Sequence, residues 1–301
     1  MDTGKIKMFY YRKGKTISYA KRTFEIVYNL SSVENDLAIK GVLVEDGKSE
    51  NIQDAIDFFN KNTDISLIIS KIESEDVTTL LKGLGKNLTS LDCWTDIGDY
   101  SALEYCENLT SVRFDLADGI KKIWDTSKNP KLNELILYNA KNLTDISRLE
   151  NSSIEKLIIS GVHIAYADVT DYPKISNIYP IKTLKNLKHL EYFTAPNPPL
   201  EKKDLVLLAS IPTLEFMRLS RNYFTFNQFA WLKSKNAKLE KLDASYYYLY
   251  QRWDETEWYA IIGKEMPEWI QDTPENNLRV YFKTFEDLVE LYSDQILPPE
   301  D

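Results

Sequence analysis

Apolar residues recur along this chain in one spacing. Residues 132–146 give its clearest form: Leu132-x-x-Leu135-x-Leu137, a bend, then Leu143-x-x-Ile146. Alternate residues of an extended strand share a face, so Leu135 and Leu137 point the same way while Ile136 points the other. The same i, i+3, i+5 spacing appears in Ile39-Val42-Val44, Leu88-Leu91-Cys93, Leu109-Val112-Phe114, Ile154-Leu157-Ile159, Leu187-Leu190-Tyr192, Leu214-Met217-Leu219 and Leu239-Leu242-Ala244. A further copy, Leu67-Ile69, has Asp64 where the first apolar residue belongs. Successive copies start 21–33 residues apart. A period of this size predicts a solenoid in which one strand and one return segment stack on the next pair. Parallel crossovers are right-handed, so the expected fold is a right-handed α/β solenoid with a parallel sheet of nine strands.

The segments between strands carry their own signals. Val77, Leu80, Leu81 and Leu84 lie on one helical face, with Ser74 as a candidate N-cap and Gly85 just past the end. Ile52, Ala55, Ile56 and Phe59 repeat that spacing, and Leu205, Leu208 and Ile211 suggest another helix. Thr225-x-x-Gln228 has the form of a capping box. The steps of 21–23 residues between 88 and 154 leave too little chain for a long helix and predict extended or 3₁₀ returns. The longest step holds an insertion, roughly Ala165–Tyr179. Residues 1–38 break the repeat: Lys5–Tyr11 and Thr16–Ala20 flank a basic turn and predict a β-hairpin cap, with Thr23–Tyr28 a third candidate strand. Residues 251–301 read as a C-terminal cap, in which Leu278, Val280 and Phe282 suggest a strand and Thr284 opens a final helix. The expected division is therefore 1–38, 39–250 and 251–301.

The repeat resembles the leucine-rich repeat family, and Asn142-Leu143-Thr144-Asp145-Ile146-Ser147-x-Leu149 is similar to the short repeats of bacterial internalin-type proteins. The resemblance covers residues 39–250 and implies a horseshoe with the sheet on its concave side, a β-rich N-terminal cap and a helical C-terminal cap. The chain departs from the family eight residues into each repeat. Asn222 alone occupies the expected asparagine position, so a continuous asparagine ladder is not expected.

Composition narrows the function. The net charge is −9, carried by residues 251–301 with 4 basic and 13 acidic side chains, while residues 1–22 hold seven bases and one acid. No apolar run is long enough to span a bilayer and the N-terminus has no secretory pattern, which leads to an expectation of a cytoplasmic protein with no membrane partner. Cys93 and Cys106 are expected as reduced thiols. Asn-Leu-Thr triplets at Asn87, Asn108 and Asn142 match the glycosylation pattern, but they recur with the repeat. Two histidines, no metal-ligand spacing and no glycine-rich phosphate loop give no catalytic residue, no metal and no cofactor. His189, on an outward strand position, reads as a surface histidine, and Glu134 and Asp115 as acids that could face one another.

Binding is better supported. Strand positions facing away from the core include Trp94, Ile136, Tyr138, Ile158 and Phe193, flanked by Asp92, Arg113, Asp115, Glu191 and Arg218. Exposed aromatics beside arginine are the composition of interface hot spots. The expectation is a monomeric, non-catalytic scaffold that docks a protein partner on this face, or alternatively an inhibitor or immunity-type protein that occludes an enzyme. Nucleic acid is excluded because the face carries more acid than base.

Overall fold

A computed structural model of the chain describes residues 7–10, 42–45, 53, 56–57, 60, 65–69, 74–94, 96–161, 173–193, 200–220, 223–236, 241–242, 249–253, 256–259, 261–266, 270–271 and 278–300. All nine repeat segments form strands. They are β2 (Val42–Glu45), β3 (Ile65–Ile69), β4 (Leu88–Cys93), β5 (Ser111–Phe114), β6 (Glu134–Leu137), β7 (Lys156–Ser160), β8 (His189–Phe193), β9 (Phe216–Leu219) and β10 (Lys241–Leu242). They pair in parallel and in chain order within a ten-stranded sheet. The first strand, β1 (Lys7–Tyr10), joins the sheet antiparallel to β2. The hairpin partner expected at Thr16–Ala20 and the strand at Thr23–Tyr28 lie outside the described residues, as does most of the helix expected around Ile52–Phe59.

The register repeats the sequence spacing. Leu91, Val112, Leu135, Leu157, Leu190 and Met217 stand side by side on successive strands. Each is fully buried in one continuous core that also takes in Cys93, Phe114, Leu137, Ile159 and Tyr192. Every neighbour offers the same inward row, so burial passes from strand to strand without a separate core.

Helices and short turns cover this face. α1 (Ser74–Leu84) buries Val77, Leu80, Leu81 and Leu84, as its 3.6-residue period requires. Gly85 follows at φ 48°, the left-handed conformation that ends a helix without a Cβ clash. Ser74 starts the helix, but its hydroxyl donates to the Asp96 carbonyl (2.9 Å) of the next repeat. The three short returns run through 3₁₀ turns at Tyr100–Tyr105, Thr126–Lys128 and Ser147–Leu149. Asp99, Asp125 and Asp145 open them, each accepting from the backbone amide of the serine two residues on. Beyond β7 come α2 (Tyr179–Lys182), α3 (Lys202–Ala209) and α4 (Phe226–Lys235). The Thr225–Gln228 capping box on α4 closes in both directions, at 3.2 and 3.1 Å. Of the insertion, Ala165–Tyr172 lies outside the described residues.

The C-terminal region corrects one expectation. Leu278, Val280 and Phe282 are not a strand; they begin α5 (Leu278–Leu291), and Thr284 lies inside that helix with its hydroxyl on the Val280 carbonyl (2.8 Å). Leu278, Phe285 and Tyr292 are buried seven residues apart, a helical period, whereas Val280 is exposed. Three alternating apolar residues are too short a window to separate the two periods. α5 and the residues after it lie on α4. Phe285 meets Phe226 edge to face at 5.2 Å, and Trp231 Nε1, Ser234 Oγ and Lys235 Nζ donate to the carbonyls of Gln295, Tyr292 and Ser293. Between α4 and α5 the chain also forms a three-stranded antiparallel sheet, β11 (Leu249–Trp253), β12 (Thr256–Tyr259) and β13 (Ile270–Gln271).

Asparagine side chains bond the repeats to one another, though not at the eighth position of each repeat. Asn129 is buried and donates to both the Leu103 and Cys106 carbonyls at 2.8 Å, while its Oδ1 accepts from Trp124 Nε1 at 2.7 Å. Asn236 reaches the Ile211 carbonyl at 2.9 Å, and Asn139, at φ 55°, donates to the Asp115 carbonyl. The asparagines of the Asn-Leu-Thr triplets belong to the same scheme. Asn108 and Asn142 donate at 2.7 Å to the carbonyls of Lys86 and Asp118, and Asn87 donates to Asn60 Oδ1 at 2.9 Å. These amides recur because each ties one repeat to the preceding one.

Candidate functional site

The second face of the sheet carries the alternate residues of β4–β9. Strand register aligns Ser90, Ser111, Glu134, Lys156, His189 and Phe216 in one row, and Asp92, Arg113, Ile136, Ile158, Glu191 and Arg218 in the next. Trp94, Asp115 and Tyr138 continue beyond the strand ends, where their amides donate to the Ile69, Cys93 and Phe114 carbonyls at 2.8–2.9 Å. Ser160 and Phe193 pair across β7 and β8 in that third row.

The residues expected to form a single exposed patch divide into two groups. Trp94 is 43% exposed and Phe193 is half-buried. Ile136, Tyr138 and Ile158 are buried, at 7%, 8% and 3%, in a small apolar cluster separate from the main core. The expectation that these three lie open is therefore corrected. Large side chains on adjacent strands stand close enough to cover one another. Arg113 supplies part of the cover, its guanidinium lying 5.3 Å from the Tyr138 ring centre. On the other side of the cluster Arg218 lies 5.3 Å over the Phe193 ring. The two arginines thus lean inward from β5 and β9 over Tyr138, just past β6, and Phe193 on β8.

Carboxylates hold both arginines in place. Arg113 Nε donates to Asp115 Oδ1 at 2.8 Å and lies 3.9 Å from Asp92 Oδ1. Burial lowers the affinity of Arg113 for its proton, but the Asp115 hydrogen bond and the two negative charges outweigh this and raise it. Asp92 accepts from Trp94 Nε1 at 2.9 Å. Burial raises its carboxyl above the usual range, and Arg113 offsets this only in part. At the far side Glu191 Oε1 lies in hydrogen-bond contact with His189 Nε2 at 2.9 Å, and its Oε2 lies 3.6 Å from Arg218 Nη1. His189 stacks on Phe216 at 4.2 Å, so it is a half-buried member of this group and not a free surface histidine. Burial, followed by the charge of Glu191, raises the Tyr138 phenol.

Glu134 does not face Asp115. It pairs with Lys156 at 2.6 Å and accepts from Ser111 Oγ at 2.9 Å. Burial acts against its ionisation, but these two hydrogen bonds win and its carboxyl falls below the usual range. The Glu134–Lys156 pair and the part played by His189 and Phe216 escaped the sequence reading. The signal was present, because all four sit two residues before the row of Arg113 and Glu191.

Among the described residues no cluster of histidine, cysteine or acidic side chains could hold a metal ion. Cys93 and Cys106 are buried and neither is in a disulfide bond. Burial pushes the Cys106 thiol up to about 12, and it donates to the Leu81 carbonyl. No helix among the described residues is long and apolar enough to cross a membrane. The chain matches no protein-family model and no curated protein.

Proposed function

We propose that this protein is a non-catalytic scaffold of the leucine-rich repeat type, a right-handed horseshoe-shaped solenoid between two caps, which docks a protein partner on its concave sheet. The caps are residues 1–38 and 251–301 and the solenoid is 39–250. The observation that carries the reading is the pair Trp94 and Phe193, which stand away from the core on strands whose other face is filled. Trp94 keeps its indole beside Asp92, and Phe193 is held under Arg218. Aromatics fixed in this way offer contact area at little cost in side-chain freedom. Ile136, Tyr138 and Ile158 form the floor between them. The acids and bases of the face are bonded to one another, an arrangement suited to shaping a surface more than to proton transfer. The protein acts as a cytoplasmic monomer without cofactor, and its partner is neither nucleic acid nor membrane.

Affinity capture with quantitative mass spectrometry tests this on the intact chain. The double variant Trp94→Ala, Phe193→Ala should melt close to wild type yet lose a protein that wild type retains. A control, Val280→Ser with Leu291→Ser on the exposed side of α5, should retain it. Hot-spot truncations of this kind cost about 2 kcal/mol or more in binding. Equal retention by all three proteins would refute the assignment.

A further inference from the structure

The docking face has already used its polar groups. Arg113 is held by Asp115 and Asp92, Lys156 by Glu134, and Glu191 lies between His189 and Arg218. Ser111 Oγ and Trp94 Nε1 donate to Glu134 and Asp92. Register adds Lys241 beside Phe216, so neither sign predominates among the described residues of this face on β4–β10. The sheet amides are spent as well, because each of β4–β9 has a paired strand on both sides. What the face still offers is apolar. Trp94 stands at one end of the third row and the half-buried Phe193 toward the other, with the Ile136, Tyr138 and Ile158 floor between them.

A partner lying on this face brings backbone N–H and C=O groups of its own, and buried ones need bonds. An extended segment would turn them toward side chains whose bonds are made and amides that are taken. An α-helix bonds its backbone internally and presents side chains alone. Opposite closed ion pairs, a charged side chain would lose water and meet no free counter-charge, so the stripe that fits is uncharged. We propose that the docked element is an amphipathic α-helix laid across β4–β8, its uncharged apolar stripe resting on Trp94, the floor and Phe193, with no ion pair across the contact. This rests on the docking reading above and names the element that docks. Four strand spacings separate β4 from β8, about 19 Å. At about 1.5 Å per residue a helix covers that distance in about 13 residues, between three and four turns. Apolar residues every three or four positions keep one side of such a helix on the face throughout.

The test pans two phage-displayed libraries on the full chain. One holds helices of about 15 residues with glutamate–lysine pairs outside and random residues along the stripe; the other holds fully random segments of that length. The helical library should yield clones whose stripe is uncharged and apolar. A synthetic copy followed by fluorescence anisotropy should bind within about twofold equally at low and at about 0.5 M salt, because no ion pair crosses the contact. Proline at its centre should weaken it about tenfold or more. Trp94→Ala, Phe193→Ala should do the same, while Val280→Ser, Leu291→Ser should match wild type. Trp94→Ala alone, at an exposed position, should weaken binding in a chain that melts as wild type, which separates lost binding from lost folding. Suppose the clones that Trp94→Ala, Phe193→Ala loses lack helical spacing, tolerate the proline, carry charged stripes or are released by salt. The docking face then stands and the helix proposal is overturned. If neither library yields a clone that this variant loses, both readings fall.

Discussion

Asn129 ties two backbone carbonyls to one buried side chain. It is 1% exposed, its amide donates to two carbonyls of the preceding repeat, and its oxygen accepts from the Trp124 indole. Replacing it by alanine removes three bonds and strands the Trp124 N–H, while the Leu103 and Cys106 carbonyls keep their bonds from the Cys106 and Leu109 amides. Two of the lost bonds cost about 1 kcal/mol each and the stranded indole N–H about 1–3 kcal/mol, so Asn129→Ala should cost about 3–5 kcal/mol. That is a large part of a typical folding free energy of about 5–15 kcal/mol. Asp in its place should be worse, since a carboxylate oxygen would face carbonyl oxygens in a dry site. Asn108 is the control. It makes the same kind of bond to the Lys86 carbonyl (2.7 Å) and accepts from Lys131, but at the surface, so Asn108→Ala should cost only about 0.5–1 kcal/mol. Urea unfolding followed by both circular dichroism and tryptophan fluorescence measures the two costs and shows whether the transition remains single. A loss at Asn129 no larger than at Asn108 would refute the view that buried amides tie the repeats together.

Other consequences can be checked in the same assay. Deleting residues 278–301 uncovers Phe226 and Trp231 on α4 and breaks the bonds to Gln295, Tyr292 and Ser293, so the truncated chain should aggregate or melt far below wild type; an unchanged midpoint would make the segment a tail. Gly263 has φ 115° and an added Cβ would lie 2.9 Å from the Phe226 amide nitrogen, so Gly263→Ala should cost about 1–3 kcal/mol, and a neutral result would mean the turn can shift. Asp99, Asp125 and Asp145 have carboxyls held below the usual range by hydrogen bonds from Ser101, Ser127 and Ser147, Asp145 at about 2. Depressed acids stabilise the fold above their unfolded value and lose that contribution as pH falls through the folded one. Stability should therefore decline between about pH 4 and pH 2, with a shallower slope in Asp145→Asn; an unchanged slope would count against the serine bonds.

What the sequence determined by itself is the local and periodic part of this protein. A strand buries every second residue, so the Leu-x-x-Leu-x-Leu spacing located all nine repeat strands and separated the filled face from the Asp92, Arg113 and Glu191 face. The helix period and Gly85 located α1, the Thr225–Gln228 pair located the start of α4, and the short steps foretold 3₁₀ returns. Each of these depends on residues within a few positions of one another. The tertiary structure decided what depends on neighbours 20 or more residues away. Alternation places Tyr138 on the outward face, but whether that face is open depends on Arg113 of the preceding strand leaning over the ring. An asparagine away from the eighth position of the repeat carries no signal until its carbonyl partners in the previous repeat are known, so Asn129 and Asn236 went unread. The antiparallel sheet of β11–β13 was missed for the same reason, because its pairing lies between segments and not within them. The start of α5 was misread because three residues cannot distinguish a period of two from one of 3.6, and packing on Phe226 and Trp231 settled it.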